Sequence, residues 1–305
     1  MNEEKNTVGG IIISALSGFY YVDVGGETVT CHAKGVFRKR GITPLVGDRV
    51  LIERENENGT VAEILPRSSC LQRPPVANID YLYIVSSVVN PQPNLFVNDK
   101  LTAVAVKGGL TPVMVFTKCD LGDTAAYRDI YTKAGFEVYC CSAKTGEGMD
   151  ELRRSINGRM CCFTGNSGVG KSSLLNFLEP SLQLETGEIS HKLGRGRHTT
   201  RSVSLYCVAG GYVADTPGFS SLEYEERSDG FTKDELAELF PEFDAFASDC
   251  RFGFDCSHTS DSGCAVKSAV KNGEISESRY DSFVRMYNEV KDIKDWQLKT
   301  VGKRK

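Results

Sequence analysis

The sequence predicts a multidomain chain with three units in series. These are an N-terminal all-β barrel of OB type, a central α/β domain around a phosphate-binding loop, and a C-terminal, mostly helical Cys/His module. Three observations carry this reading. Short alternating apolar stretches punctuated by turns run to about Leu65; apolar strands then alternate with helical segments from Ile79; after Glu226 the strand signals stop and a cysteine and histidine cluster follows. The boundaries fall at 1–68, 69–226 and 227–305.

In the first unit, strands are expected at 10–14, 20–24, 28–33, 49–53 and 60–65, separated by Gly25-Gly26, Gly47-Asp48 and Asn58-Gly59. Five short strands fit an OB-fold, with an SH3-like barrel as the alternative. Pro66, Pro74 and Pro75 mark a linker.

The second unit alternates strand and helix. Strands are expected at 79–88, 112–117, 136–141, 159–164, 202–208 and 212–215, with helices at 94–107 (capped by Asn94), 123–135 and 149–157 and another opening at Lys171. In the third unit a helix is expected at 233–240 and a compact loop at 250–264. A long helix at 276–299 follows, with Phe283, Met286, Tyr287, Val290 and Ile293 on one side.

Composition sets limits. At 305 residues, 40% hydrophobic and 25% charged, the chain is long enough for two or three domains with real cores. The Met-Asn-Glu-Glu-Lys-Asn start is acidic where a secretory signal is basic then apolar, and no apolar run approaches the roughly 20 residues that span a bilayer. A cytoplasmic protein without a membrane partner is expected. The eleven cysteines lie in a chain too large to need disulfide staples, so most are expected as small core residues. A formal net charge of -4 gives no overall basic balance, so any nucleic-acid surface has to be local, as at Arg38-Lys39-Arg40 or Lys303-Arg304-Lys305.

The strand-to-helix stretch Gly165-Asn166-Ser167-Gly168-Val169-Gly170-Lys171-Ser172 is a complete phosphate-binding loop. Its backbone N–H groups would cradle phosphates at a helix N-terminus. Lys171 would reach the β- and γ-oxygens, Ser172 would ligate magnesium, and Ser173 completes the nucleotide-binding set. Asp215-Thr216-Pro217-Gly218 ends an apolar strand, where Asp215 would hold magnesium and the Gly218 amide would touch the γ-phosphate. Between them, Gly194-Arg195-Gly196-Arg197-His198-Thr199-Thr200-Arg201 sits where a switch segment belongs. Thr199 or Thr200 would close on the γ-phosphate, with Thr200 taken as a magnesium ligand. A basic loop contacting RNA is the alternative, and the two roles are compatible. Phe219 stands where many such sites use glutamine to orient water, and phenylalanine cannot. Slow intrinsic hydrolysis is therefore expected, with His198 a candidate for the missing polar group; a solvent-facing or RNA-facing His198 is the alternative.

Base choice rests on Thr117-Lys118-Cys119-Asp120 and Ser142-Ala143-Lys144, each after a predicted strand. The Asp120 carboxylate can accept from guanine N1–H and the exocyclic amine, a donor pair adenine lacks. Lys118 would lie along the ring, and amides around Ser142 and Ala143 would meet the guanine carbonyl. Both base-reading motifs precede the phosphate loop, the reverse of the usual order, which implies a circular permutation.

The spacing Cys250-x5-Cys256-x-His258-x5-Cys264 offers three thiolates and an imidazole, the donor set of a closed tetrahedral structural zinc site. A catalytic zinc is disfavoured because protein fills all four positions.

Taken together, the chain resembles the RsgA (YjeQ/YloQ) family of small-subunit ribosome biogenesis GTPases. The resemblance runs through the β-barrel start, Asn94-Leu95-Phe96-Val97-Asn98-Asp99-Lys100-Leu101, the permuted motif order, Gly-Arg-His-Thr-Thr before Asp-Thr-Pro-Gly-Phe, and Gly263-Cys264-Ala265-Val266-Lys267. It implies an OB-fold, a permuted GTPase domain binding GTP or GDP with magnesium, and a zinc domain. It also implies a monomer that binds the small (30S) subunit and its rRNA late in maturation, with hydrolysis stimulated by the subunit and linked to release. One departure is the five residues between Cys250 and Cys256, where the family usually has four. The chain order further suggests that loss of the γ-phosphate moves the C-terminal module relative to the barrel. Two other readings compete: an RNA-binding assembly module whose nucleotide site is mainly structural, and a permuted GTPase acting on the large subunit.

Overall fold

The computed structural model describes residues 7–55, 58–72, 75–184, 203–215 and 231–292. The barrel strands are β1 (Thr7–Leu16), β2 (Phe19–Val24), β3 (Glu27–Ala33), β4 (Arg49–Glu55) and β5 (Asn58–Ile64). They run in the order β1-β2-β3-β5-β4, and β4 pairs back onto β1 to close the ring. A short helix, α1 (Gly35–Lys39), fills the β3-to-β4 connection. Closure in this order is OB-like, which decides between the two barrels left open by sequence. Alternate residues point inward, as the two-residue period requires: Val29 and Cys31 on β3, Val50 and Ile52 on β4, each at most 1% exposed.

The proline-marked linker is instead a buckle. Strands β6 (Cys70–Gln72) and β7 (Pro75–Ala77) form a hairpin that bridges Val46 through Val76. Gly47, at φ 90°, sits so close that a Cβ would lie 2.0 Å from the Ala77 carbonyl oxygen. Asn78 donates to the Gly47 carbonyl at 2.9 Å, and fully buried Asp48 accepts from Arg67 Nε at 2.7 Å and Nη2 at 2.8 Å. Proline marks strand edges as well as breaks, so composition alone does not separate the two.

The central unit contains β8 (Tyr81–Ser87), α2 (Leu95–Lys107), β9 (Thr111–Thr117), α3 (Ala125–Lys133) and β10 (Glu137–Cys141). It continues with α4 (Met149–Ile156), β11 (Met160–Thr164), α5 (Lys171–Leu178), β12 (Ser204–Val208) and β13 (Gly211–Asp215). The sheet order is β10-β9-β8-β11-β13-β12, parallel except for β12. Strands β8 and β11 are buried without alternation because both faces of the sheet are covered. The half-buried Cys140 departs from the buried position expected of it; Cys141, Cys161 and Cys162 are buried. The sheet continues into the barrel, where β12 pairs antiparallel with β1 through Ser204 and Ser14.

Beyond residue 230 the helices are α6 (Asp244–Ala247), α7 (Ala265–Lys271) and α8 (Glu277–Val290). The helix expected at 233–240 is only a 3₁₀ turn at Leu236–Leu239, because Pro241 forces Phe240 out of the helical region. Helix α8 ends at Val290; Ile293 and the rest of the expected span lie outside the described residues. Phe240, Phe243, Phe283 and Met286 form the core of the module, with Phe243 edge-on to Phe283 at 4.9 Å.

One buried cation fixes this module to the central domain. Arg279 of α8, fully buried, donates to Asp99 Oδ1 at 3.0 Å and Thr102 Oγ1 at 2.8 Å on α2. It also donates to both oxygens of buried Glu242 at 2.7 and 3.0 Å, and lies 4.7 Å from the Phe240 ring centre. Removing the guanidinium leaves two carboxylates without their counter-charge in a dry site. Arg279→Ala is expected to destabilise the protein by about 3–5 kcal/mol in denaturant unfolding.

Candidate nucleotide site and metal centre

The two sequence segments that carry the site meet because β8 lies between β9 and β11. In the parallel ladders Thr117 of β9 stands opposite Cys141 of β10 and Ser87 of β8, and Thr164 of β11 stands opposite Ile84. The loops that follow therefore leave from the same, carboxyl edge, where open α/β sheets bind ligands.

The phosphate loop follows β11. Gly165, at φ 143°, is the tightest point, since a Cβ there would lie 2.1 Å from the Val85 carbonyl oxygen. Lys171 is the first residue of α5, 7% exposed, and its Nζ donates to the Gly165 and Asn166 carbonyls at 2.6 and 2.8 Å. Burial pushes its ammonium down to about 8. Ser172 is buried beside it and Ser173 is exposed.

The base-reading loop is bonded directly to the phosphate loop. Thr117 Oγ1 donates to the Val169 carbonyl, and Lys118 Nζ donates to the Gly168 carbonyl at 3.0 Å and to Asn90 at 2.5 Å. Lys118 holds a left-handed backbone, φ 60°, that turns the chain into the 3₁₀ turn carrying half-buried Asp120. After β10, buried Ser142 accepts from the amides of Lys144 at 3.3 Å and Thr145 at 3.2 Å. Ala143 is half-buried and Lys144 exposed.

Asp215 ends β13, which pairs in parallel with β11, so its backbone reaches the same edge. His198, Thr199, Thr200, Gly218 and Phe219 lie outside the described residues.

Sequence reasoning missed one contributor. The Asn98 amide of α2, 5% exposed, donates to Ser86 Oγ at 3.3 Å in a crevice that Gly165, Asn166 and Val169 also line. Asn98 is buried together with Asp99 and Thr102 on a helix that also buries Leu101, Ala103 and Ala105, and this mixture gives no clear local signal in the sequence.

The Cys/His cluster is closed. The ligand atoms of Cys250, Cys256, His258 and Cys264 all lie within 4.8 Å of one another, and all four residues are buried. Cys250 Sγ is 3.9 Å from Cys264 Sγ, and His258 Nδ1 is 3.6 and 3.5 Å from those two sulfurs. Metal–sulfur bonds of about 2.3 Å and metal–nitrogen bonds of about 2.0 Å in a tetrahedron give separations of about 3.5–3.8 Å, so the cluster can hold a metal. Between Cys250 and Cys256 the chain makes a 3₁₀ turn at Gly253–Asp255, with Gly253 at φ 54°. Amides of Ala265 and Lys267 donate to the Cys250 and Cys264 sulfurs at 3.3 and 3.5 Å, which favours thiolates. Burial holds the Cys256 thiol up, at about 12, so metal binding must release its proton.

Comparison with known proteins agrees. The model described as RsgA GTPase matches residues 64–225, and the RsgA N-terminal domain model matches 9–61. The chain belongs to the RsgA GTPase family. It is a GTP-hydrolysing enzyme that binds guanine nucleotide. It is 46% identical over 292 residues to the small ribosomal subunit biogenesis GTPase RsgA of Geobacillus thermodenitrificans, covering 93% of this chain and 98% of that one. With the RsgA of Bacillus subtilis it shares 41% over 297 residues, 93% and 98% covered. The crystal structure of YloQ, a circularly permuted GTPase, superposes with TM-score 0.79 at 36% identity, over 96% of this chain and 98% of that one. YjeQ from Thermotoga maritima gives 0.75 at 35%, over 94% and 100%. The RsgA fold is thus permuted as the motif order implied. Among the described residues no helix is long and apolar enough to cross a membrane.

The buried lysine yields a pH test. Phosphate oxygens favour the ammonium and raise its pKa, so above about pH 8 nucleotide binding takes up a proton and affinity falls as pH rises. Calorimetry of GDP binding in buffers of different ionisation enthalpy is expected to show uptake of most of a proton at pH 9, almost none at pH 6.5, and none at either pH in Lys171→Ala.

Proposed function

We propose that this chain binds the small (30S) ribosomal subunit and assists its late maturation, hydrolysing GTP to GDP and phosphate with activity stimulated by the subunit and coupled to release. The observation that carries this reading is the extent of the match: relatives named small ribosomal subunit biogenesis GTPase align over 93% of the chain, barrel included.

In this reading Asp120 reads guanine, with Lys118 along the ring, and Thr117 and the loop at Ser142, Ala143 and Lys144 complete the base site. Residues 165–173 hold the phosphates and Lys171 neutralises charge on the transferred phosphoryl group. Ser172, Thr200 and Asp215 would supply oxygen donors of the kind magnesium takes, and the ion would neutralise charge on the phosphates. Thr199, Gly218 and His198 complete the γ-phosphate side, with His198 oriented when the subunit binds. The three units are assigned to 1–68, 69–226 and 227–305.

Zinc is the metal proposed for Cys250, Cys256, His258 and Cys264, because a three-thiolate, one-imidazole tetrahedron is its structural donor set. One equivalent per chain is expected by elemental analysis. Chelation should open Cys250, Cys256 and Cys264 to a thiol reagent and lower the unfolding temperature, and Cys256→Ser should abolish the bound equivalent.

The rRNA surface proposed is the barrel rim. Phe19, 39% exposed, packs at a 48° tilt against His32 at 4.4 Å between ring centres, beside Leu16 at 56%, and unpaired bases stack on exposed aromatic side chains. The protein is proposed to act as a cytoplasmic monomer.

GTP turnover with purified small subunits, large subunits or none tests the whole reading. Strong stimulation by small subunits alone is expected, and Lys171→Ala should lower it on the order of 10²-fold or more. Stimulation by large subunits alone would transfer the activity there. Normal assembly function in Lys171→Ala would leave the nucleotide a structural role.

A further inference from the structure

The hairpin β12–β13 is held in an unusual way. Its two-residue turn, Ala209 at φ 54° and Gly210 at φ 78°, has the left-handed pair that matches strand twist. That turn is wedged against the end of α4: Gly158 N donates to the Gly210 carbonyl at 3.0 Å, and a Cβ on Gly211 would lie 2.1 Å from the Ile156 carbonyl oxygen. The turn end is therefore fixed, and β13 stays paired to β11 through Tyr212, Val213 and Ala214, so Asp215, at the hairpin's other end, is the first residue of the strand beyond that ladder.

At that other end three residues form one row across the sheet. Asp215 of β13 stands opposite Ser204 of β12, and Ser204 stands opposite Ser14 of the barrel strand β1. In sequence, Ser204 follows Thr200 by four positions, so this row joins the segments that carry two proposed magnesium ligands. Strand β1 has a register shift between Ile12 and Ser14, beside the row, where a bulge re-aims the strand. A second contact ties the barrel to β13: Tyr212 Oη donates to Asp23 Oδ2 of β2 at 2.6 Å. The Asp23 carboxylate is itself pinned, its Oδ1 accepting from the Gly26 amide at 2.7 Å. Burial, with the Asp23 charge, raises the Tyr212 phenol, so the proton stays on the donor.

We propose that the Asp23–Tyr212 hydrogen bond is the positioning contact through which RNA bound to the barrel sets the placement of Asp215 for hydrolysis, with the Ser14–Ser204 pairing holding the barrel strand beside it. The RNA half of this statement rests on the function proposed above; the contact itself does not. Tyr212 is a positioning residue, since it acts on Asp215 through Val213 and Ala214 of strand β13. Because placement of Asp215 also bears on how the γ-phosphate side of the nucleotide is bound, and coupling of binding free energies is reciprocal, the nucleotide state biases the barrel in turn.

Hydrogen exchange read on the full-length protein tests this without ribosomes. Amides of β1 and β2 are expected to exchange at different rates with GDP and with a non-hydrolysable GTP analogue. In Tyr212→Phe, which removes one hydroxyl and keeps the ring, that difference is expected to be lost while GDP affinity is kept. No nucleotide dependence in the wild-type barrel, or the same dependence in Tyr212→Phe, would overturn the proposal. In a parallel arm, turnover with small subunits should show stimulation in the wild type and its loss in Tyr212→Phe, with co-sedimentation retained; undiminished stimulation in the variant also overturns the coupling. Absence of stimulation in the wild type counts against the proposed function instead, and exchange then decides the coupling alone.

Discussion

The parallel ladder between β8 and β11 is the contact on which the rest depends. It joins the segment that reads the base to the segment that holds the phosphates, although the chain makes them in reversed order. Once that ladder forms, Thr117 and Lys118 reach the Val169 and Gly168 carbonyls, and the two loops become one surface. A circular permutation is tolerated here because sheet pairing fixes positions in space irrespective of where the chain begins. Its effect is to free both flanks of the domain for added units.

Those units are attached by different physics. The barrel continues the sheet by backbone pairing and closes on it with an apolar core that runs from Ile12 and Val22 to Ile79 and Leu82. The C-terminal module is joined by α2 against α8, around a guanidinium shared between Asp99, Thr102 and Glu242. The barrel holds the hairpin ending at Asp215, and the module holds the helix whose Asn98 lines the crevice beside the phosphate loop.

Much of this was legible in the sequence because it is local. Asn94 caps α2 as read, the strands β8, β9 and β11 fall within a residue or two of expectation, and the Cys/His spacing delivers a closed cluster. Other features depend on partners far away in the chain. Asp23 and Tyr212 lie 189 positions apart, and Arg279 and Asp99 lie 180 apart, so neither pairing has a local signature. A partial clue existed for the second, since Arg279 precedes Phe283, Met286 and Val290 on one helix face, an odd place for a charge without a counter-ion. Helix α1 and the hairpin β6–β7 were missed because each is held by neighbours rather than by its own propensity.

The arginine shared between the module and α2 also constrains ancestry. Swapping it, or either acid, one at a time passes through a chain with an unmatched charge sealed in its interior, so these positions can drift only in concert. A C-terminal module transplanted from a relative would therefore be accepted only if the matching face of α2 travelled with it. The molecule resists being treated as three interchangeable beads.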